Sequence, residues 1–268
     1  MIGETEPGSA LCAADMIRGM DRPITIITGA SRGIGAATAR WLARAGHDLA
    51  LGYRENRDGA EKVAAEVSGH GVRCVLVRVD VSQEADVDRL FADTAEQLGP
   101  VTGLVNNAGL TAHIGDLADT PVEMIRRVID VNFLGTVLCA RRAAQVMSTR
   151  RGGPGGAIVN VSSSAATLGS PHEYVHYAGA KAAVDAMTMG LAKELAEDGV
   201  RVNAVAPGLV RTDIHAGAGD AGRVERVVSR VPLGRVGEPE EIAPAIGWLL
   251  SPESGYATGT VVRVSGGL

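Results

Sequence analysis

Residues 24 to 46 read Ile-Thr-Ile-Ile-Thr-Gly-Ala-Ser-Arg-Gly-Ile-Gly-Ala-Ala-Thr-Ala-Arg-Trp-Leu-Ala-Arg-Ala-Gly. The β-branched run 24–28 predicts a buried strand, the glycines at 29, 33 and 35 a turn, and the alanine-rich stretch a helix that stops at Gly46. A strand, a glycine turn and a helix N-terminus in that order make a phosphate site. The backbone approaches an anion closely at glycine, and the first-turn N–H groups and helix dipole meet its charge. Gly29, Ser31, Arg32, Gly33, Ile34 and Gly35 are therefore candidate pyrophosphate residues. The spacing Gly-x3-Gly-x-Gly differs from the commoner G-x-G-x-x-G fingerprint, and alone such a turn also fits a purely structural role.

Outward from this unit, strand-like and helical segments alternate. Strands are predicted near 24–28, 48–52, 73–79, 102–105, 156–161, 200–205 and 260–264, and helices near 34–45, 57–69, 83–98, 121–149, 176–198 and 239–250. The alternation predicts an α/β fold, a parallel sheet of about seven strands with helices on both faces. A length of 268 residues with 46% hydrophobic content suits one large domain, 23–268, better than two. Residues 1–22 lack a basic start followed by a long apolar run, so no secretory signal is expected there. They are expected to form a flexible N-terminal extension, unless Met16 or Met20 is the true start.

The 31 acidic and 26 basic side chains give a formal charge of -5, which argues against a nucleic-acid surface. No apolar run approaches membrane-spanning length. Cys12, Cys74 and Cys139 are odd in number and widely spaced, which suits a reducing cytoplasm rather than a disulfide framework, and a cytoplasmic location is expected.

Residues 163 to 181, Ser-Ser-Ala-Ala-Thr-Leu-Gly-Ser-Pro-His-Glu-Tyr-Val-His-Tyr-Ala-Gly-Ala-Lys, contain two catalytic patterns. In the first, Tyr177 and Lys181 lie four apart, on one face of a helix. A phenol ionises near pH ~10, and an adjacent ammonium stabilises the phenolate and draws that value toward neutrality. In the second, His172-Glu173-Tyr174-Val175-His176 matches the H-E-x-x-H of zinc peptidases. Gly169-Ser170-Pro171 marks a turn just before it, the third ligand of the extended motif would fall on Ala182, and nothing else in the chain calls for zinc. No metal is expected, and His172, Glu173 and His176 are read as loop or pocket-rim residues.

Thr28-Gly29-x3-Gly33-Ile34-Gly35, Asn106-Asn107-Ala108-Gly109, Asn132, the serines 162–164, Tyr177-x3-Lys181 and Pro207-Gly208, in this order, resemble the short-chain dehydrogenase/reductase family. The resemblance runs from about Ile24 to the C-terminus and is nearest to bacterial sugar or glucose dehydrogenase-like and 3-oxoacyl reductase-like members. It implies a single-domain Rossmann-type, doubly wound fold and a homotetramer. It makes Tyr177 the acid/base at the substrate oxygen, Lys181 its tuner and a ligand of the nicotinamide ribose, and Asn132 the holder of a proton-relay water. For the stabilising serine, spacing from the tyrosine selects Ser164 and alignment of strand 158–163 selects Ser163; Ser163 is preferred because strand register is the tighter constraint. Asp80 and Val81 resemble the adenine contacts, Asn106, Ala108 and Gly109 the cofactor-side turn, and Thr212, after Pro207, Gly208 and Val210, the residue that fixes the nicotinamide amide.

In NAD-preferring members an acidic residue usually ends the second strand. That position is Tyr53 here, followed by Arg54, with Arg32 in the glycine turn. Two guanidinium groups favour NADP(H), since Arg pairs bidentately with a phosphate; NAD(H) stays open, because Arg54 also fits a solvated turn. The expected activity is hydride transfer between nicotinamide and a small carbonyl or secondary alcohol. A loop near 209–230 containing Gly217, Gly219 and Gly222 is expected as a lid. His113, His172 and Glu173 suggest a hydroxylated substrate, and Ala165, Leu168 and Leu209 an apolar one. The alternatives are a dinucleotide-sensing protein without turnover and, less favoured, a zinc metallopeptidase through His172-Glu173-x-x-His176, for which Glu194 and Glu197 lie near the distance of a glutamate ligand.

Overall fold

The structure, a computed structural model, describes residues 22–214 and 226–268. Residues 1–21 of the expected extension, with Cys12, and the lid residues Gly217, Gly219 and Gly222 lie outside the described residues. Strands β1 (Ile24–Thr28), β2 (Asp48–Tyr53), β3 (Cys74–Arg78), β4 (Gly103–Asn106), β5 (Gly156–Val161), β6 (Val200–Pro207) and β7 (Val261–Val264) form one sheet in the order β3-β2-β1-β4-β5-β6-β7. Every neighbouring pair is parallel. The connecting helices are α1 (Gly33–Arg44), α2 (Arg57–Ser68), α3 (Glu84–Gln97), α4 (Val122–Ile129), α5 (Gly135–Met147), α6 (Ala165–Leu168), α7 (Val175–Leu195) and α8 (Pro239–Leu250).

Because side chains alternate along a strand, each strand feeds both faces. Ile26, Leu104 and Ile158 enter one core with Leu90 and Phe91 of α3, Cys139 and Met147 of α5 and Leu195 of α7. Their neighbours Ile27, Val105 and Val159 enter the other, with Leu42 of α1, Val63 of α2 and Ile246 of α8. The chain runs outward from β1 through β2 to β3, then returns to place β4 on the other side of β1. At that reversal the loops after β1 and β4 diverge and open a crevice at the carboxyl ends of the strands, where ligands bind in sheets of this kind.

The strands fall where the alternation places them. The single helix expected over 121–149 is instead α4 and α5 joined by one π-helical turn, Asp130–Leu134, and α6 was not expected. One wide turn offsets the apolar stripe without interrupting it by glycine or proline, so the stretch carries no stop signal and the sequence reads as one helix.

Candidate active site

The crevice is a cavity of about 900 Å³. One end is the turn between β1 and α1, where Gly29 and Gly33 have φ of +66° and +55°, a conformation that favours glycine. At Gly35 a Cβ would lie 2.4 Å from the Gly29 carbonyl oxygen and 2.5 Å from Asn107 Nδ2, so only glycine lets α1 start this close to the turn. Arg32, at the N-cap, is extended and gives no side-chain cap, and the first turn of α1 holds no acidic residue. Gly29 and residues 31–34 line the cavity, so the uncapped N–H groups and positive helix end face it.

A polar clamp holds this turn against the end of β4. Asn107 Nδ2 donates to the carbonyls of Thr28 (2.9 Å) and Gly29 (3.0 Å), while Thr28 Oγ1 accepts from the backbone N–H of Asn107 and of Ala108, both at 3.0 Å. Asn107, Ala108 and Gly109 line the cavity. Asn106, expected there too, faces the core: its Nδ2 donates to Asn160 Oδ1 at 2.9 Å, and Asn160 Nδ2 donates to Thr188 Oγ1 of α7 at 2.9 Å. The alternation of β4 explains the correction, since neighbouring residues point to opposite sides. Asn107, quoted in the same motif but given no role from sequence, is the asparagine of the pair that lines the cavity.

At the far side of the turn, Tyr53, Arg54, Asp80 and Val81 line the cavity together with Glu55 and Asn56, which the sequence reading passed over. Arg54 pairs with Glu55 at 2.8 Å and with Asp80 at 3.6 Å, and its side chain is 39% exposed. Arg32 is more exposed and lies 3.7 Å from Asp213. Pro207, Gly208, Val210 and Thr212, from the end of β6 onward, line the opposite wall, and a Cβ on Gly33 would meet Thr212 Cγ2 at 3.2 Å.

Tyr177 and Lys181 project from the first turns of α7 into the same cavity. The Tyr177 ring is buried and packs edge-on against Tyr174, with centroids 5.3 Å apart. Lys181 is buried, and its Nζ donates to the Val161 carbonyl at 2.8 Å. Burial disfavours its charged form and lowers its pKa to about 8, although Asp185 opposes the shift. Ser163 and Ser164 both line the cavity; Ser163 is half-buried, with Oγ accepting from the Ala165 N–H at 3.2 Å, and Ser164 is buried.

Asn132 lies in the π-helical turn, fully buried behind the wall. Its Nδ2 donates to the carbonyls of Leu110 (2.7 Å) and Val128 (2.9 Å), and its Oδ1 accepts from the Leu110 N–H (3.2 Å). A Cβ on Gly109 would sit 2.8 Å from Asn132 Oδ1 and 3.6 Å from Lys181 Nζ, so Gly109 is what lets the two side chains approach. Both amide hydrogens of Asn132 are engaged, which leaves one Oδ1 lone pair for a water.

The H-E-x-x-H residues are not on one helix. His172 precedes α7, has φ of +62°, and is exposed with Nδ1 2.8 Å from Asp116 Oδ1. Glu173 lines the cavity and faces Arg230 at 3.8 Å. His176 is buried on α7 and does not line the cavity, so it is not the rim residue expected from sequence. Burial lowers its pKa.

Residues 29–268 match a family model described as enoyl-(acyl carrier protein) reductase. The chain is 43% identical over 244 residues to the uncharacterized oxidoreductase YgfF of Escherichia coli strain K12, covering 91% of this chain and 99% of that one. A short-chain type dehydrogenase/reductase from Mycobacterium marinum has the same fold, with a TM-score of 0.86 at 34% identity over 91% of this chain and 94% of that one. A blue fluorescent protein from a metagenomic library, solved with NADPH, gives 0.83 at 32% identity over 91% and 97%. A sheet shared with these proteins, and a sequence match that runs from the first glycine of the turn to the last residue, mean that the chain belongs to the short-chain dehydrogenase/reductase family and is an oxidoreductase of that family.

Proposed function

We propose that the protein transfers a hydride reversibly between a nicotinamide dinucleotide and a small carbonyl or secondary alcohol, with Tyr177 as general acid/base. The observation that carries this reading is the placement of Tyr177 and buried Lys181, one turn apart on α7, in the same cavity as the glycine turn. The residues fit a dinucleotide: the uncapped N-terminus of α1 offers N–H donors and positive charge to a pyrophosphate, and about 900 Å³ lies in the upper range of ligand cavities. The bound dinucleotide supplies or accepts the hydride.

In the reducing direction Ser163 orients the substrate oxygen and the Tyr177 hydroxyl protonates it. Lys181 stabilises the phenolate left behind and holds the nicotinamide ribose. Asn132 fixes the turn at Gly109 and Leu110 against Lys181 and offers its remaining lone pair to a relay water. Arg54 favours NADP(H): its partners are half-exposed or exposed carboxylates, and a phosphate carrying about two charges outcompetes them. A binder without turnover would need Lys181 for the ribose but would have no use for the acid/base phenol of Tyr177.

Tyr177→Phe is the test, in a panel of sugars, hydroxyacyl thioesters, cyclic alcohols and steroids with both dinucleotides. A loss on the order of 10²-fold or more with dinucleotide affinity retained is the expected result; near-normal turnover would sink the mechanism. We also propose a homotetramer, supported by the exposed apolar residues Val122 and Ile129 of α4 and Val175 and Met189 of α7. A monomeric mass by light scattering at micromolar concentration would contradict it.

A further inference from the structure

One turn beyond Lys181 on α7 stands Asp185, half-buried, with Oδ1 fully enclosed and without a hydrogen-bond partner. The Ser162 hydroxyl donates to the Lys181 carbonyl at 3.4 Å and favours the ionised form of the Asp185 carboxylate, so it acts on both residues at the end of β5. Enclosing a carboxylate oxygen without a partner is costly, and such a group calls for a reason. Two cations face it: Lys181, and Arg263 of β7, which also donates to Thr167 Oγ1 at 2.9 Å. Tyr177 joins this set through its ring, whose centroid lies 5.8 Å from Lys181 Nζ.

We propose that Asp185 is a positioning residue for the reaction, holding the charge of Lys181 across one turn of α7 and through Ser162, and thereby setting the acidity of the Tyr177–Lys181 pair. The proposal rests on the hydride-transfer reading of this cavity. Its electrostatics agree with the geometry. Burial lowers the Lys181 pKa and Asp185 opposes that shift, while burial raises the Asp185 pKa and Ser162, Lys181 and Arg263 oppose that one. A negative charge beside the pair makes loss of a proton from either member harder, so removing it moves the alkaline limb of carbonyl reduction to lower pH. Removing the positive charge of Arg263 moves it to higher pH.

The experiment is the pH profile of kcat/KM for carbonyl reduction by the full chain in wild type, Asp185→Asn and Arg263→Gln, with Tyr177→Phe as control. Asp185→Asn should shift the alkaline limb down by about 0.5–1 pH unit, and Arg263→Gln, at an exposed position, should shift it up. Opposite shifts are what a purely structural role cannot give. Limbs that stay together, or move in the same direction, while Tyr177→Phe is inactive would overturn this proposal and leave the hydride-transfer reading standing. An active Tyr177→Phe would overturn both.

Discussion

The Lys181 ammonium lies over the Tyr177 ring, 5.8 Å from its centroid. That contact places a buried cation beside the phenol on which the proposed chemistry depends, and it gives the reaction an alkaline limit. The pKa of Lys181 is lowered to about 8, so its charge is present below that value and is lost as pH rises through it. Carbonyl reduction should therefore decline above about pH 8. Lys181→Arg, whose guanidinium keeps its charge, should turn over more slowly because its planar head fits the site poorly, yet lose the decline. A variant that retains the limb would show that another group sets it.

Truncating Arg54 removes a contact that a 2'-phosphate makes and a 2'-hydroxyl does not. The preference for NADP(H) over NAD(H) should fall roughly tenfold to a hundredfold, as expected for one charge-assisted hydrogen bond. The ratio of kcat/KM for the two dinucleotides in wild type and Arg54→Ala, measured with one shared substrate, decides it. An unmoved ratio would place the selectivity elsewhere.

The clamp between Asn107 and the Gly29 turn should be visible in stability. Gly35→Ala drives a Cβ into the Gly29 carbonyl oxygen and the Asn107 amide, and should destabilise the chain by about 2–3 kcal/mol through overpacking and lost hydrogen bonds. Asn107→Ala leaves the carbonyls of Thr28 and Gly29 without their donor, and should weaken dinucleotide binding along with stability. Urea unfolding and dinucleotide titration report the two effects. Wild-type values for either variant would mean that the turn holds without the clamp.

His47 provides an acid-sensitive site far from the chemistry. Its Nδ1 lies 2.9 Å from Thr25 Oγ1, and burial lowers its pKa from 6.5 to about 4 against the pull of Asp48. The folded value lies below the unfolded one, so the unfolded chain binds the proton more tightly. The stability gained by keeping His47 neutral is present above 6.5 and is lost as pH falls toward 4. That loss is on the order of 1–3 kcal/mol. The urea midpoint should drop less in His47→Gln than in wild type between about pH 7 and pH 4.5; equal drops would refute the assignment.

Strand and helix positions were legible because they follow from side-chain alternation and from glycine turns, both local properties. The candidate site was legible where a motif names its own chemistry, as at Tyr177 and Lys181 or at the turn after β1. Asn106 and Asn107 were not separable, because which of two adjacent asparagines faces the crevice depends on how β4 is seated between β1 and β5. The placement of Asp185 near Ser162 was invisible for a similar reason: it comes from the meeting of α7 with the end of β5, two elements distant in sequence.

The π-helical turn at Asp130–Leu134 lets one continuous stretch of helix answer to two environments. Before it, Val128 of α4 packs with Tyr174, Tyr177 and Ala178, beside the Tyr177 end of the cavity. After it, Cys139, Ala143 and Met147 of α5 pack into the core beneath the sheet. A regular helix would tie the rotational phase of these two faces together, so that re-aiming one would dislodge the other. The wider turn uncouples them, so α4 can face the cavity while α5 stays seated in the core; deleting one residue within the turn would rotate the two faces out of step and withdraw Asn132 from Gly109.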